Sequence, residues 1–204
     1  MKLNLDFYKE TELNKLSEEE KDIINVFWNK EEKRIPEHIL NIESSYEQIS
    51  IGTDNRKNII SFYPIESDAS VLEVGANFGE ITLELCKKAK RVVSVETKKE
   101  KAEAISLRCA DIENLEIFAG ELKTIKIDEK FDYVVALNEE FNSLEEVDKF
   151  LKVVKSKLKL DGKAIIAIDN KFGIKYWSGI KKENGILAYE TLTGRKDIVE
   201  LSDF

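Results

Sequence analysis

The sequence predicts an α/β protein built on an open, doubly wound, mostly parallel sheet. Three observations carry that prediction. Five short apolar runs recur between residues 71 and 168, and stretches with helical spacing separate them. Each run is four to seven residues long and apolar on both faces, which suits strands covered by helices on either side. The chain holds only two prolines and no repeat or low-complexity segment that would break the alternation. Right-handed crossovers between parallel strands then give a doubly wound sheet.

The elements follow in order. Ser17-Glu18-Glu19-Glu20 has the form of a capping box, with the serine accepting from the backbone while Glu20 reaches back. It opens an amphipathic helix through Ile23, Ile24, Phe27 and Trp28, which ends at the charged run 30–34 and Pro36. Residues 1–58 are therefore expected to form a helical extension packed on the core. Val71-Leu72-Glu73-Val74 is the first strand, followed by a glycine turn and a helix over 81–89. Residues 91–96 form the second strand and 98–112 a charged helix. Residues 115–119 and 131–137 are the third and fourth strands; a helix over 143–160 leads to the fifth, 163–168. Lys87-Lys88-Ala89-Lys90-Arg91 and Lys98-Lys99-Glu100-Lys101 are expected to be solvated helix ends.

Composition narrows the function. With 32 Lys+Arg against 40 Asp+Glu the formal net charge is -8, which disfavours a nucleic-acid or anionic membrane surface as main partner. Cys86, Cys109 and His38 supply no zinc spacing, so no metal is expected, and the cysteines read as reduced thiols of a cytoplasmic protein. No run of about 18 apolar residues exists, so no membrane span is expected.

Chemistry is expected at the carboxyl ends of the strands, near the point where strand order reverses. The first strand ends in Glu73-Val74-Gly75-Ala76-Asn77-Phe78-Gly79. Its glycines permit a sharp turn and close approach to a ligand. The second strand ends in Glu96, whose carboxylate can accept both hydroxyls of a ribose. A dinucleotide fingerprint would need glycine at positions 77 and 80, where this chain has Asn77 and Glu80. No P-loop pattern occurs. A carboxylate two residues before the first glycine suits a ligand bearing an ammonium group beside its carboxylate, and S-adenosylmethionine is such a ligand.

VLEVGANFG resembles motif I of the class I S-adenosylmethionine-dependent methyltransferases, usually written [DE]-x-G-x-G-x-G. The resemblance continues in register through Glu96, Gly120-Glu121, FDYVVAL and Leu160-Asp161-Gly162-Lys163, covering about residues 60 to 170. It implies a Rossmann-like methyltransferase core over residues 59–170 with S-adenosylmethionine as cofactor. By position, Glu73 would order the loop and meet the methionine ammonium directly or through water. Gly75 and Gly79 would lie against the methionine and ribose portion, with Ala76 and Asn77 between them in the same site. Asn77 stands where the family has its middle glycine; asparagine tolerates the left-handed region better than most residues. Glu96 would accept the ribose hydroxyls with Thr97 beside it, Glu121 would face the adenine amino group, and Asn138 would begin the loop between cofactor and acceptor.

Two segments, 45–79, which runs into motif I, and 166–179, are similar to bacterial methyltransferase domains encoded with, or fused to, glycosyltransferases of cell-surface polysaccharide synthesis. That resemblance implies a small-molecule or saccharide acceptor and a glycosyltransferase as fusion or working partner. Those domains often carry an Asp-His pair where this chain has Glu183-Asn184. Methyl transfer to a hydroxyl benefits from a general base within hydrogen-bond reach. Glu140 is the first candidate and Asp169 the second, with Glu139 and Asn170 nearby. Tyr176 and Trp177 suit a wall for a sugar ring or packing on the N-terminal helix. His38 reads as a surface or helix-end residue.

Two other functions fit parts of the pattern: a non-catalytic module of this fold serving as a scaffold in glycan assembly, and an NAD-dependent oxidoreductase, which the missing dinucleotide glycines disfavour. The family normally finishes with two further strands. Residues after Ile168 offer no clear apolar pair, so 171–204 is expected to be a lid or acceptor-side segment of a core cut short.

Overall fold

The computed structural model describes residues 1–30, 54–137, 141 and 143–167. Six parallel strands form one sheet: β1 (Lys2–Asn4), β2 (Ser70–Val74), β3 (Arg91–Glu96), β4 (Leu115–Ala119), β5 (Phe131–Ala136) and β6 (Leu158–Ile166). Their order is β1-β4-β3-β2-β5-β6, every adjacent pair parallel. The helices are α1 (Glu18–Lys30), α2 (Asn58–Ser61), α3 (Thr82–Lys88), α4 (Lys99–Arg108) and α5 (Leu144–Lys157). The Rossmann-like doubly wound fold expected from the sequence is the observed one. Strand order reverses between β2 and β5, and the register Val74↔Val95, Val74↔Ala136 and Glu96↔Ala119 brings four strand ends to one rim.

Alternate side chains of the strands enter two separate cores. Val71, Val92, Ile117, Tyr133 and Val135 pack with Leu85 of α3 and Ile105 of α4 on one face. Leu72, Val93, Val95, Phe131 and Val134 pack with Val154 of α5 on the other. Each such aliphatic or aromatic side chain stabilises the sheet by about 1.5–3 kcal/mol on burial. The apolar runs therefore read as strands because both of their faces are covered.

The capping box of α1 is present: the Ser17 amide donates to Glu20 Oε2 at 2.7 Å, and the Glu20 amide donates to Ser17 Oγ at 3.2 Å. Ile23 and Ile24 are buried as the helical spacing predicts. Ser143 caps α5 by accepting from the Glu146 amide.

Two elements depart from the sequence reading. The N-terminal extension is not purely helical, because Lys2, Leu3 and Asn4 pair with Glu116, Ile117 and Phe118 at the sheet edge. Three residues give too short a run to show a period of two. What holds them is tertiary: an ion pair from Lys2 to Glu116 at 3.2 Å and the Phe7 ring against Phe118, 6.2 Å between centroids. The fifth predicted strand begins at Leu158, where Lys163 was expected. Phe131 pairs with Leu158 but Tyr133 with Lys163, so the Asp161-Gly162 turn is absorbed as an irregularity in β6. Gly162 lies so close to β5 that a Cβ there would stand 2.9 Å from the Phe131 carbonyl oxygen.

Candidate functional site

The loop after β2 is fastened at its base to β3. The amides of Gly75 and Ala76 both donate to the Val95 carbonyl, at 3.0 and 3.2 Å, and the Gly79 amide closes a turn on Ala76 at 2.8 Å. Gly75 (φ 66), Asn77 (φ 51) and Gly79 (φ 77) occupy the left-handed region, and Asn77 is the one non-glycine residue to do so among the described residues. Asparagine reaches that region at lower cost than most residues. The loop thus keeps its turn at the position where the expected glycine is missing.

Three carboxylates are buried around this loop. Glu73 is 1% exposed and sits beneath it, accepting from Thr82 Oγ1 at 2.8 and 3.0 Å and from Ser94 Oγ at 2.5 Å. Burial pushes its carboxyl up to about 7, against the pull of those two hydroxyls. Through these contacts Glu73 ties β2, β3 and α3 together beneath the loop.

Glu96 is 5% exposed at the end of β3. Its Oε2 accepts from the Asn77 amide at 2.8 Å; its Oε1 accepts from the Lys98 amide at 2.9 Å and from Thr97 Oγ1 at 3.3 Å. Burial raises its pKa, and Lys101 opposes the rise. Glu80, 6% exposed, accepts from Asn77 Nδ2 at 3.1 Å through Oε1, while its buried Oε2 has no hydrogen-bond partner.

Two lysines meet these acids. Lys101 is 7% exposed; its Nζ donates to Asn77 Oδ1 at 2.5 Å, stands 2.6 Å from Glu20 Oε1 of α1 and lies 4.7 Å above the Phe78 ring. Lys98 Nζ donates to both oxygens of Glu20. Burial opposes the charge on Glu20, but hydrogen bonds from Lys101, Lys98 and the Ser17 amide override it and bring its pKa down to about 2. The reading of 98–101 as a solvated helix end is corrected here: α1 covers the start of α4 and gives both lysines a buried partner. Lys88 likewise turns inward, donating to the carbonyls of Ser61 and Tyr63.

The structure thus brings Glu73, Gly75, Ala76, Asn77, Gly79 and Glu96 together at the ends of β2 and β3, with Thr97 exposed beside them. Glu121 is exposed just beyond β4 and paired with Lys123 at 2.7 Å. The Gly120 amide before it donates to the Glu96 carbonyl at 2.8 Å. Asn138, Glu139, Glu140, Asp169, Asn170, Tyr176, Trp177 and His38 lie outside the described residues. Thr82, Ser94, Lys101 and Glu20 are the partners that sequence reasoning did not single out.

The turn is thus bordered by three carboxyl groups, Glu73, Glu80 and Glu96, with the Lys101 ammonium on Asn77 as the counter-charge beside them. Among the described residues no group of three His, Cys, Asp or Glu could hold a metal ion, and no helix is long and apolar enough to cross a membrane.

Residues 71–162 match a family described as a methyltransferase domain. A stretch of 61 residues is 38% identical to the ribosomal RNA small subunit methyltransferase A of Koribacter versatilis, spanning 30% of this chain and 21% of that relative. Among solved structures, phosphoethanolamine N-methyltransferase 1 of Haemonchus contortus, in complex with phosphoethanolamine and S-adenosylhomocysteine, is similar at 19% identity, covering 88% of this chain and 38% of that one with a TM-score of 0.54. A methyltransferase of Thiobacillus denitrificans in complex with S-adenosylhomocysteine is similar at 15% identity over 56% and 48% of the two chains, TM-score 0.48.

Proposed function

We propose, from the match of residues 71–162 to a methyltransferase domain, that the chain uses S-adenosylmethionine to transfer a methyl group to a small-molecule or saccharide acceptor. The observation that carries the cofactor assignment is the geometry of Glu96: a buried carboxylate at the end of β3 whose two oxygens are aligned by the Asn77 and Lys98 amides, beside a loop in left-handed turns. The residues fit the cofactor. Glu96 would accept the ribose hydroxyls, Gly75 and Ala76 would let the methionine portion approach the backbone, and Glu80 Oε2, buried and unpartnered, offers an acceptor for a cationic group.

The cofactor supplies a methyl group already activated on a sulfonium. The protein's task is therefore to hold the two reactants in line and to exclude water. Glu73 keeps the loop in shape, and the acidic surround favours the positive ligand over the neutral product. Glu140, with Asp169 as second choice, is the base that would take a proton from a hydroxyl acceptor. Glu121 and Asn138 complete the cofactor side in this reading.

The saccharide acceptor and the glycosyltransferase partner rest on the likeness of segments 45–79 and 166–179 to polysaccharide-associated domains. The net charge of -8 supports keeping nucleic acid out of the acceptor class. Buried Cys86 and Cys109 suit the reducing environment of the cytoplasm.

Calorimetry with S-adenosylmethionine, S-adenosylhomocysteine and NAD tests the cofactor; binding of NAD alone would overturn the assignment. Methyl transfer to a panel of sugar nucleotides and glycans, with Glu140→Ala and Asp169→Ala alongside, tests the acceptor. Cofactor binding without transfer to any member, unaffected by either substitution, would favour a non-catalytic scaffold.

A further inference from the structure

We infer that α1 is a clamp on the cofactor loop: Glu20 positions Lys101, Lys101 positions Asn77, and the N-terminal helix thereby sets how tightly the loop holds S-adenosylmethionine. The inference rests on the reading of the loop as the cofactor site. It concerns residues that motif I leaves open, since the helix lies outside the motif and Asn77 replaces its middle glycine.

The connection is continuous and buried. The Lys101 ammonium has three donors. It stands 2.6 Å from Glu20 Oε1, donates to Asn77 Oδ1 at 2.5 Å and covers the Phe78 ring. The other end of the Asn77 amide donates to Glu80 at 3.1 Å, and the Asn77 main-chain N–H donates to Glu96 at 2.8 Å. One residue of the loop is therefore gripped from α4, from β3 and from the loop's own exit. A glycine at position 77 would keep only the grip from β3. Here asparagine replaces conformational freedom with two side-chain tethers.

Glu20 is fixed in turn. It accepts from the Ser17 amide within the capping box and from Lys98, the residue that precedes α4. Ile23 and Ile24, on the next turn of α1, are buried and anchor the helix. The groups facing Lys101 are thus Glu20 from α1, Asn77 from the loop and the nearby Glu96 carboxylate from β3. A loop held in one conformation before the ligand arrives loses less freedom on binding, which tightens the complex. Linkage makes the effect reciprocal, so a bound ligand must hold α1 down.

Asn77→Gly is the decisive variant, because glycine adopts φ 51 freely and the change removes no charge. Glu20→Gln keeps the shape of the second contact, and Lys101→Arg serves as a conservative replacement. The probe is S-adenosylhomocysteine, measured by calorimetry and by hydrogen exchange of residues 18–30. Asn77→Gly and Glu20→Gln are each expected to weaken binding about fivefold or more, the lower range of typical coupling between sites. The double variant should be no weaker than the weaker single one, since both break the same chain of contacts. The ligand should slow exchange in α1 of the unmodified protein and not in Asn77→Gly, and Lys101→Arg should retain part of the protection. Binding by the unmodified protein with both single variants unchanged, or with losses that add in full, would overturn the clamp alone. No binding by the unmodified protein would overturn the cofactor reading, and the clamp with it.

Discussion

Ser94 Oγ stands 2.5 Å from the Glu73 carboxylate, inside the sheet and under the loop that follows β2. Ser94 lies in β3 and Glu73 in β2, at paired positions of the register. This contact and the one from Thr82 are what allow an acid to lie in the interior at all. Ser94→Ala would leave one carboxylate oxygen short of a donor. It should cost about 1–3 kcal/mol of stability, read as a lower midpoint in urea unfolding.

The acidity of Glu73 gives a pH signature. Its folded pKa of about 7 lies above its ordinary value of 4.5, so the folded protein binds more protons than the unfolded chain between those limits. The contribution of this group to stability is full below pH 4.5 and is lost as pH rises through about 7. Urea unfolding of Glu73→Gln at pH 5 and pH 8 should show a smaller decline than the unmodified protein. An equal decline in both would assign the pH dependence to other groups.

Glu20 acts in the opposite direction. Its folded pKa of about 2 lies below 4.5, so its contribution is present above pH 4.5 and disappears as pH falls toward 2. Exchange of the α1 amides, taken relative to the intrinsic rate at each pH, should accelerate over that acid interval. In Glu20→Gln the acceleration should be absent, with α1 already loosened at neutral pH.

Glu96→Ala should weaken binding of S-adenosylhomocysteine at least tenfold, about 1.4 kcal/mol, at unchanged stoichiometry. An unchanged affinity would remove Glu96 from the site.

Gly79→Ala should lower stability by about 1–2 kcal/mol because alanine is strained at positive φ. Backbone strain is the main term, since a Cβ at φ 77 would meet Ile105 at 3.4 Å, an ordinary contact distance. Thermal unfolding would show the loss as a lower Tm with the fold retained.

The sheet was legible in the sequence because burial on both faces leaves uninterrupted apolar runs, and the loop because its backbone demands glycine or asparagine at defined positions. Ser94 was passed over, although a lone polar residue within Val92-Val93-Ser94-Val95 is a signal, because a buried hydroxyl needs a partner. Lys101 was not. It sits in a charged run that looks like any solvated helix end, and only the docking of α1 places it inside. Strand β1 was hidden for a related reason, since its stability comes from β4 and Phe118 rather than from its own three residues.

That strand has a consequence for how the protein is made. Lys2 pairs with Glu116, 114 positions later in the chain. The sheet edge beside β4 cannot close until β4 itself has been synthesised and has joined β3. Closing so long a loop carries a large entropic cost for a short ladder. Docking of β1 is therefore a late event in folding and an early one in unfolding, and until it happens the β4 edge stands open to pairing with another chain. Residues 2–4 act as a cover for that edge, arriving last although they are synthesised before β4.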